Sequence, residues 1–563
     1  MRARLIVFWV FAGLWVGCGD DAQQGGDGGV PDGTVHSDGA PGADGTSPDS
    51  GGPQPGDWSC NPFDCGPSDG ASVNVAAGED LQAALDSASP GDTLLLEAGA
   101  TYTGNFELPA KGGEGCITVR TATPDTELIP GTRAGPWNAA QLARVVSPGN
   151  GLPAIRTATG AHHYRLVGLE VLPESPTSEI YDLVALGSGQ QTSLADVPHH
   201  LVIDRSYVHG WPDANFKRGI GLNSAHTCIL NSTVSDFHSD FQDSQAIGGH
   251  NGPGPFKILN NRLEGGAENV MFGGGLPAIQ DLVPSDIDIR GNHFYKPLTW
   301  KADDPQNTGY VPWVKNLFEI KNGRNVVFDG NVLENNWVGA DQHGFAIVLT
   351  PRSEGGQAPW VVVENVEITN NLIRHVGGGV ALLGRDSGGT SQQTNNIVIR
   401  GNLFEDIRQD YAVDIVRVIQ LTGIAGLVVD HNTFSFGAGS WPMLRAYGDQ
   451  TTGFVYTNNL IEYREGVWAD CGTDNQALIC ALPAAVFVGN VIVGGNQATL
   501  PAGNFMPATL GDAGFVDYDQ GATDYHNYAL RSDSAYAGQA TDGADPGFDP
   551  AAVDSARGVS TPP

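Results

Sequence analysis

The chain has 563 residues and 77 glycines, and it carries a formal net charge of −34 although charged side chains make up only 16% of it. That acidic excess excludes a nucleic-acid partner, whose phosphates need neutralising Lys and Arg. A polyanionic ligand would require a local basic patch or a bridging cation.

In chain order, Arg2 and Arg4 precede an apolar run over residues 5–16, which is too short to span a bilayer and reads as a secretory signal. Val16-Gly17-Cys18 resembles the lipobox of bacterial lipoproteins, with Trp15 where that motif usually has Leu. The resemblance implies lipidation at Cys18 and a place at the cell envelope, on the outer membrane or the surface, with the lipid as the only membrane contact. A plain secretory signal is the alternative. Residues 19–57 hold almost only Gly, Asp, Pro, Ser, Ala and Gln and are expected to form a disordered tether. A short lead-in over 58–70 contains Cys60 and Cys65. In an oxidising compartment that pair, and Cys471 with Cys480, are expected to be disulfides. Cys116 and Cys228 lie in strand-like runs and read as small buried apolar residues, without the spacing of a zinc site.

From residue 71 to about 550 one pattern recurs: apolar residues, a turn, Asn, any residue, an apolar residue. Asn261, Asn292, Asn331, Asn371, Asn402, Asn432, Asn459 and Asn490 mark it, with Ser206 and Ser232 in the same frame upstream. Steps of about 26 to 40 residues signal a stacked-coil architecture. The marked Asn is expected to take a left-handed backbone and to hydrogen-bond along the stack, forming a ladder at one corner. The apolar residue two places on, Leu263, Phe294, Leu333, Ile373, Phe404 or Phe434, is expected to point inward. A helix over 79–87, with Leu81, Ala84 and Leu85 on one face, would cap the open end. Residues 515–548 are expected to close the last coil, and 551–563 to fray.

The segment from Leu81-Gln82-Ala83-Ala84-Leu85 through Pro90-Gly91-Asp92-Thr93 to Gly99-Ala100-Thr101-Tyr102 resembles the start of right-handed parallel β-helix proteins related to polysaccharide lyases. The resemblance implies an all-β fold of three-strand coils. It leaves the activity open, because lyases, hydrolases, epimerases and adhesins share that fold. The blocks over 217–223, 240–255, 264–274 and 313–322 look like a family of secreted bacterial β-helix proteins of no established activity, which supplies no catalytic residues.

Irregular stretches on a repetitive scaffold are the places to seek chemistry. Aligning Leu222, Ile247 and Phe272 as one inward column and counting back four residues gives Arg218, Asp243 and Glu268, a stacked row at the strand entrances. Such a row either binds a cation and shifts pKa values or is a structural ion-pair ladder. For a lyase, Asp240, Asp243 and Glu268 would hold Ca²⁺ against a uronate carboxylate, and Lys321, Arg218 or His250 would take the proton. For a hydrolase, Asp243 and Glu268 would divide acid and base roles. The substrate-binding candidates are Lys217, Glu264, Tyr295, Lys296, Trp300, Lys301, Trp313 and Lys315, most of them in a locally basic, aromatic stretch. The sequence thus predicts a monomeric, secreted β-helix that binds an acidic polysaccharide and cleaves it by β-elimination. A non-enzymatic glycan-binding or adhesin-type surface protein is the main alternative, and a glycoside hydrolase the other.

Overall fold

A computed structural model of the chain describes residues 58–60 and 70–558, apart from 114, 179, 341, 413–416, 438, 440, 441 and 519–523. The expectations for the signal, Cys18, the tether and Cys65 lie outside the described residues. Among those described, no helix is long and apolar enough to cross a membrane.

Three sheets of 14, 13 and 13 strands stack coil on coil, and all but one strand pairing is parallel. This is a parallel β-helix. The predicted cap is present: the helix Leu81–Ser87 is N-capped by Asp80, and its Leu81 and Leu85 close over Leu94, Leu96 and Tyr102. At the far end a second helix, Asn475–Ala481, carries Cys480, which forms the expected disulfide with Cys471 just ahead of the helix.

The corner ladder runs through every predicted Asn. Each amide oxygen accepts from the backbone N–H of the preceding coil's Asn, as Asn402 Oδ1 does from Asn371 at 2.9 Å, and each amide nitrogen donates onward. Asn504 extends the ladder past Asn490, and Ser232 and Ser206 continue it upstream. One expectation is corrected. The left-handed residue is the one before the ladder Asn, as at Asn260 (φ 56°), Gly291 (φ 63°) and Asn370 (φ 54°). This leaves the ladder residue free to direct its side chain inward, where Asn261, Asn331 and Asn371 have no exposure. The inward column from Leu263 to Phe434 forms as expected, and each member is exposed by 1% or less. Burying side chains of this size stabilises a coil by roughly 2 kcal/mol each.

The cysteines pair differently from the expectation. Cys60 is bonded to Cys228, 168 residues away, and Cys116 is also in a disulfide. Proximity in sequence misled here because residues 58–60 lie against the 14-stranded sheet: Lys257 Nζ donates to the Trp58 carbonyl at 2.6 Å and Arg165 to that of Cys60 at 3.3 Å. The C-terminal part is corrected too. It runs back outside the stack, with Tyr525, Tyr528, Phe548 and Val553 packed on Leu372 and Leu403. Pro550–Arg557 is a helix with Val553 fully buried, so the apolar content of this end is used rather than frayed.

Candidate functional site

The 13-stranded sheet that includes Asp182–Gly187, Arg218–Asn223, Gln245–Gly249, Glu268–Phe272 and Phe318–Ile320 carries the site. Its inward column is Val184, Ile220, Ile247, Val270, Phe318 and Ile347. The expected alignment of Leu222 with Ile247 is therefore two residues out. Alternation has a period of two, so a two-residue slip keeps every side chain on its face and leaves no mark in the sequence pattern.

The true row at the strand entrances is Asp182, Arg218, Gln245 and Glu268, with Gln245 where Asp243 was expected. Consecutive core residues at the strand starts, Leu183–Val184, Ala246–Ile247 and Leu317–Phe318, break strict alternation. The row consequently shares a face with Gly221 and Gly248. Arg218 donates to Asp182 at 3.0 Å and to Gln245 at 3.2 Å, and Gln245 donates to Glu268 at 2.8 Å. A Cβ on Gly221 would lie 2.7 Å from the Asp182 carboxylate, and one on Gly248 would lie 3.0 Å from Arg218 Nε. These glycines make room for the row, and the floor they form is occupied by it.

Glu268 has no exposure, and its Oε1 makes no hydrogen bond among the described residues. Burial, and after it the charge of Glu319, pushes its carboxyl up to about 7. Lys321 sits 3.4 Å from Glu319. Burial pulls its amine down, but Glu319 and Glu268 outweigh that and raise it. Lys315 holds Asp243 at 2.8 Å. Lys217 behaves differently: burial and then Arg218 lower its amine against the pull of Asp243, Glu268 and Asp182. His250 packs its ring between Gly189 and Gly275, and burial with the Arg218 charge lowers it to about 4.

Beside the row opens a cleft of about 600 Å³, lined among others by Tyr181, Asp213, Asn215, Lys217, Phe241 and Gln242. Tyr181 is 60% exposed and Phe241 61%, an unusual degree for such rings and suited to stacking on a sugar face. Lys217 Nζ stands 5.6 Å from the Tyr181 ring centre, and the Arg218 guanidinium 5.5 Å.

All the predicted catalytic residues and two of the predicted binding lysines thus meet in one cluster: Arg218, Asp243, Glu268, Lys321, His250, Lys217 and Lys315. Asp182, Gln245, Glu319, Tyr181 and Phe241 join them. Asp182 carried a findable signal, since it stands one coil upstream in the same register.

The remaining binding candidates are elsewhere. Lys296 is fully buried, its ammonium donating to the carbonyls of Gly265, Gly266 and Ala267 and to Asn269. Trp300 is packed against Val314, Trp337 and Tyr411, and Lys301 is buried over the Tyr411 ring, 5.0 Å from its centre. Tyr310 ties the same loop down through Asn215 at 2.7 Å and His238 at 3.0 Å. The basic stretch is therefore a pinned loop, with Trp313 its partly exposed exception at 38%. Glu264 and Tyr295 belong to the corner, both engaged by Arg262.

The expected calcium donors do not converge. Asp240 is exposed, Asp243 is held by Lys315, and Glu268 is enclosed. Among the described residues, only His163, His199 and His200 place three donors of the His, Cys, Asp and Glu kind mutually within 4.8 Å. Nor do Asp243 and Glu268 form a hydrolytic pair across an open space, because Glu268 is walled off.

No protein-family model matches the chain, and no curated protein matches it in sequence. Its fold is similar to an alginate lyase from Paenibacillus sp. at 13% identity, covering 78% of this chain and 98% of that one with a TM-score of 0.29. An alginate lyase of polysaccharide lyase family 6 is 15% identical, with a TM-score of 0.39. That match covers 82% of this chain and 57% of that enzyme, so this chain spans little more than half its length. The catalytic unit of an alpha-1,3-glucanase from Streptomyces thermodiastaticus is 11% identical, covering 77% and 67% with a TM-score of 0.43. The likeness is one of coil architecture, and nothing about the chemistry of this chain follows from it.

Proposed function

We propose that the protein binds an acidic polysaccharide in the cleft beside Lys217 and cleaves it by β-elimination. The observation that carries this reading is Lys217 itself. Its amine is lowered, and it lines the cleft together with two exposed aromatic rings, Tyr181 and Phe241. A lowered amine gives up its proton more readily than an ordinary lysine, and in its neutral form it can accept the proton α to a uronate carboxylate. Lys321, kept positive by Glu319 and Glu268, supplies the field that favours the developing carbanion. The C–O bond on the neighbouring carbon then breaks and an unsaturated sugar forms. Tyr181, which lines the same cleft, offers a hydroxyl to return a proton to the leaving oxygen. Calcium has no step in this scheme. Secretion, with a lipid on Cys18, is part of the same proposal and rests on residues 1–18.

The purified chain, offered pectate, alginate and glycosaminoglycans, is expected to generate ultraviolet absorbance from new double bonds that persists in a chelator. Lys217→Met is expected to lower that rate at least about 100-fold at unchanged unfolding midpoint. Reducing ends without absorbance would instead mean hydrolysis. The second reading, binding without catalysis, is favoured by the burial of Arg218, Gln245 and Glu268 in a hydrogen-bonded row. Retained polymer binding with neither signal would establish it.

A further inference from the structure

On the 14-stranded sheet, away from the cleft, the strand starts carry a second column of left-handed residues. In the later coils these are Asp286, Asn325, Asn365 and Asn396, with φ between 54° and 58°. Their side chains join in a small ladder of their own, each Asn amide donating to the coil before it, to the Asp286 carboxylate at 3.0 Å, to Asn325 at 3.0 Å and to Asn365 at 2.8 Å. In register with them, the early coils have His163 (φ 59°), His200 (φ 56°) and His226 (φ 44°). Asn and His both tolerate this backbone, so the turn alone does not call for imidazole.

Two of the early coils also place a histidine immediately before the turn residue, which the later coils do not. His162 Nδ1 faces His163 Nδ1 at 2.7 Å, and His199 Nδ1 faces His200 Nδ1 at 2.6 Å. The rings stack across coils, His162 on His199 at 4.9 Å, His163 on His200 at 4.5 Å and His200 on His226 at 4.6 Å. In each facing pair, one Nδ1 bears the proton and the other offers a lone pair. Neutral imidazole, the prevailing form of an ordinary histidine above about pH 6.5, is the form that ligates a metal.

We propose that His163, His199 and His200 form a binding site for a divalent first-row transition ion of the zinc, nickel or copper class, the ion taking the place of the shared ring proton, which passes to Nε2 of the same ring. Imidazole nitrogen is the donor such ions prefer, whereas Ca²⁺ and Mg²⁺ take oxygen. The three ligand nitrogens already lie mutually within 4.8 Å. Donors about 2.0–2.1 Å from a tetrahedral ion stand roughly 3.3 Å from one another. The close pair, now 2.6 Å apart, must open by about 0.7 Å and separations of up to 4.8 Å close by as much as about 1.5 Å, which imidazole rotation on a fixed backbone can supply. His199 and His200 are only half-buried, so an ion can reach them.

The test is titration of the full chain with zinc and, separately, cobalt. The wild type is expected to retain about one zinc per chain and to give a cobalt absorption spectrum of nitrogen ligation. His200→Asn installs the residue that the later coils use at this turn, so the fold should persist. It is expected to weaken zinc binding at least about tenfold and to abolish the rise in unfolding midpoint that zinc gives the wild type. His199→Ala, which leaves the left-handed position untouched, should do the same. Absence of zinc uptake and of the cobalt spectrum in the wild type would overturn the proposal, as would undiminished binding in both variants.

Discussion

At the Asn corner, Asn371 is fully buried and every polar atom of its amide is engaged: it donates to the Phe328 carbonyl at 3.0 Å and to Asn402 at 2.9 Å, and it accepts from the Asn331 backbone at 2.8 Å. One sheet away, Glu268 is equally buried, yet among the described residues it receives one hydrogen bond, at 2.8 Å, and keeps an oxygen without any. Both residues are members of rows built by the same coil stacking. The Asn row repeats one group that both donates and accepts, so each member satisfies the next and nothing is left over. The entrance row mixes Asp, Arg, Gln and Glu, so its hydrogen bonding and charge cannot close. The remainder is an elevated carboxyl beside a lowered amine. Stacking identical groups makes scaffold, and stacking unlike ones leaves reactivity.

The largest effect should come from breaking the closed row. Asn371→Ala strands buried backbone groups in two coils and is expected to cost about 3 kcal/mol, read as a lowered urea midpoint. A loss below about 1 kcal/mol would mean that the ladder is no more satisfied than the entrance row. Next is the pH dependence of the open row. Glu268 has a folded pKa of about 7, above its ordinary 4.5. Its contribution to stability is therefore fully present below about pH 4.5 and is lost as pH rises through 7. Glu268→Gln keeps the Gln245 hydrogen bond and removes that loss. It should gain on the wild type by on the order of 2 kcal/mol between pH 5 and pH 8. Equal midpoint differences at the two pH values would show the carboxyl to be as settled as an Asn amide. The smallest effect is expected at the floor. Gly221→Ala pushes on the mobile end of Asp182 rather than on backbone and should cost about 0.5–1 kcal/mol, while lowering polyuronate affinity several-fold by shifting Arg218.

How much of this was legible in the sequence follows from the same contrast. The ladder asparagines, the inward column and the capping helix could be read because each repeats a local pattern that one coil's physics dictates. The cluster could be found as irregularity, and Arg218, Glu268 and Lys321 were found that way. Its internal register could not, since exchanging Asp243 for Gln245 is a two-residue slip that preserves every face. Nor could the burial of Lys296, because a lysine that ends among three carbonyls looks in sequence like any surface lysine. The Cys60–Cys228 bond was hidden for a third reason: it depends on where residues 58–60 lie, and no repeat encodes that.

That bond has a mechanical consequence. Tension pulled through the chain ahead of Cys60 enters the stack at Cys228, in the strand Ala225–Leu230, rather than at the outermost strand Ser72–Val75. A stack of coils pulled by its end would peel one strand at a time, each step breaking only a few hydrogen bonds. Pulled at an interior strand, it must shear several paired strands together, and the capping helix and first coils are spared the load.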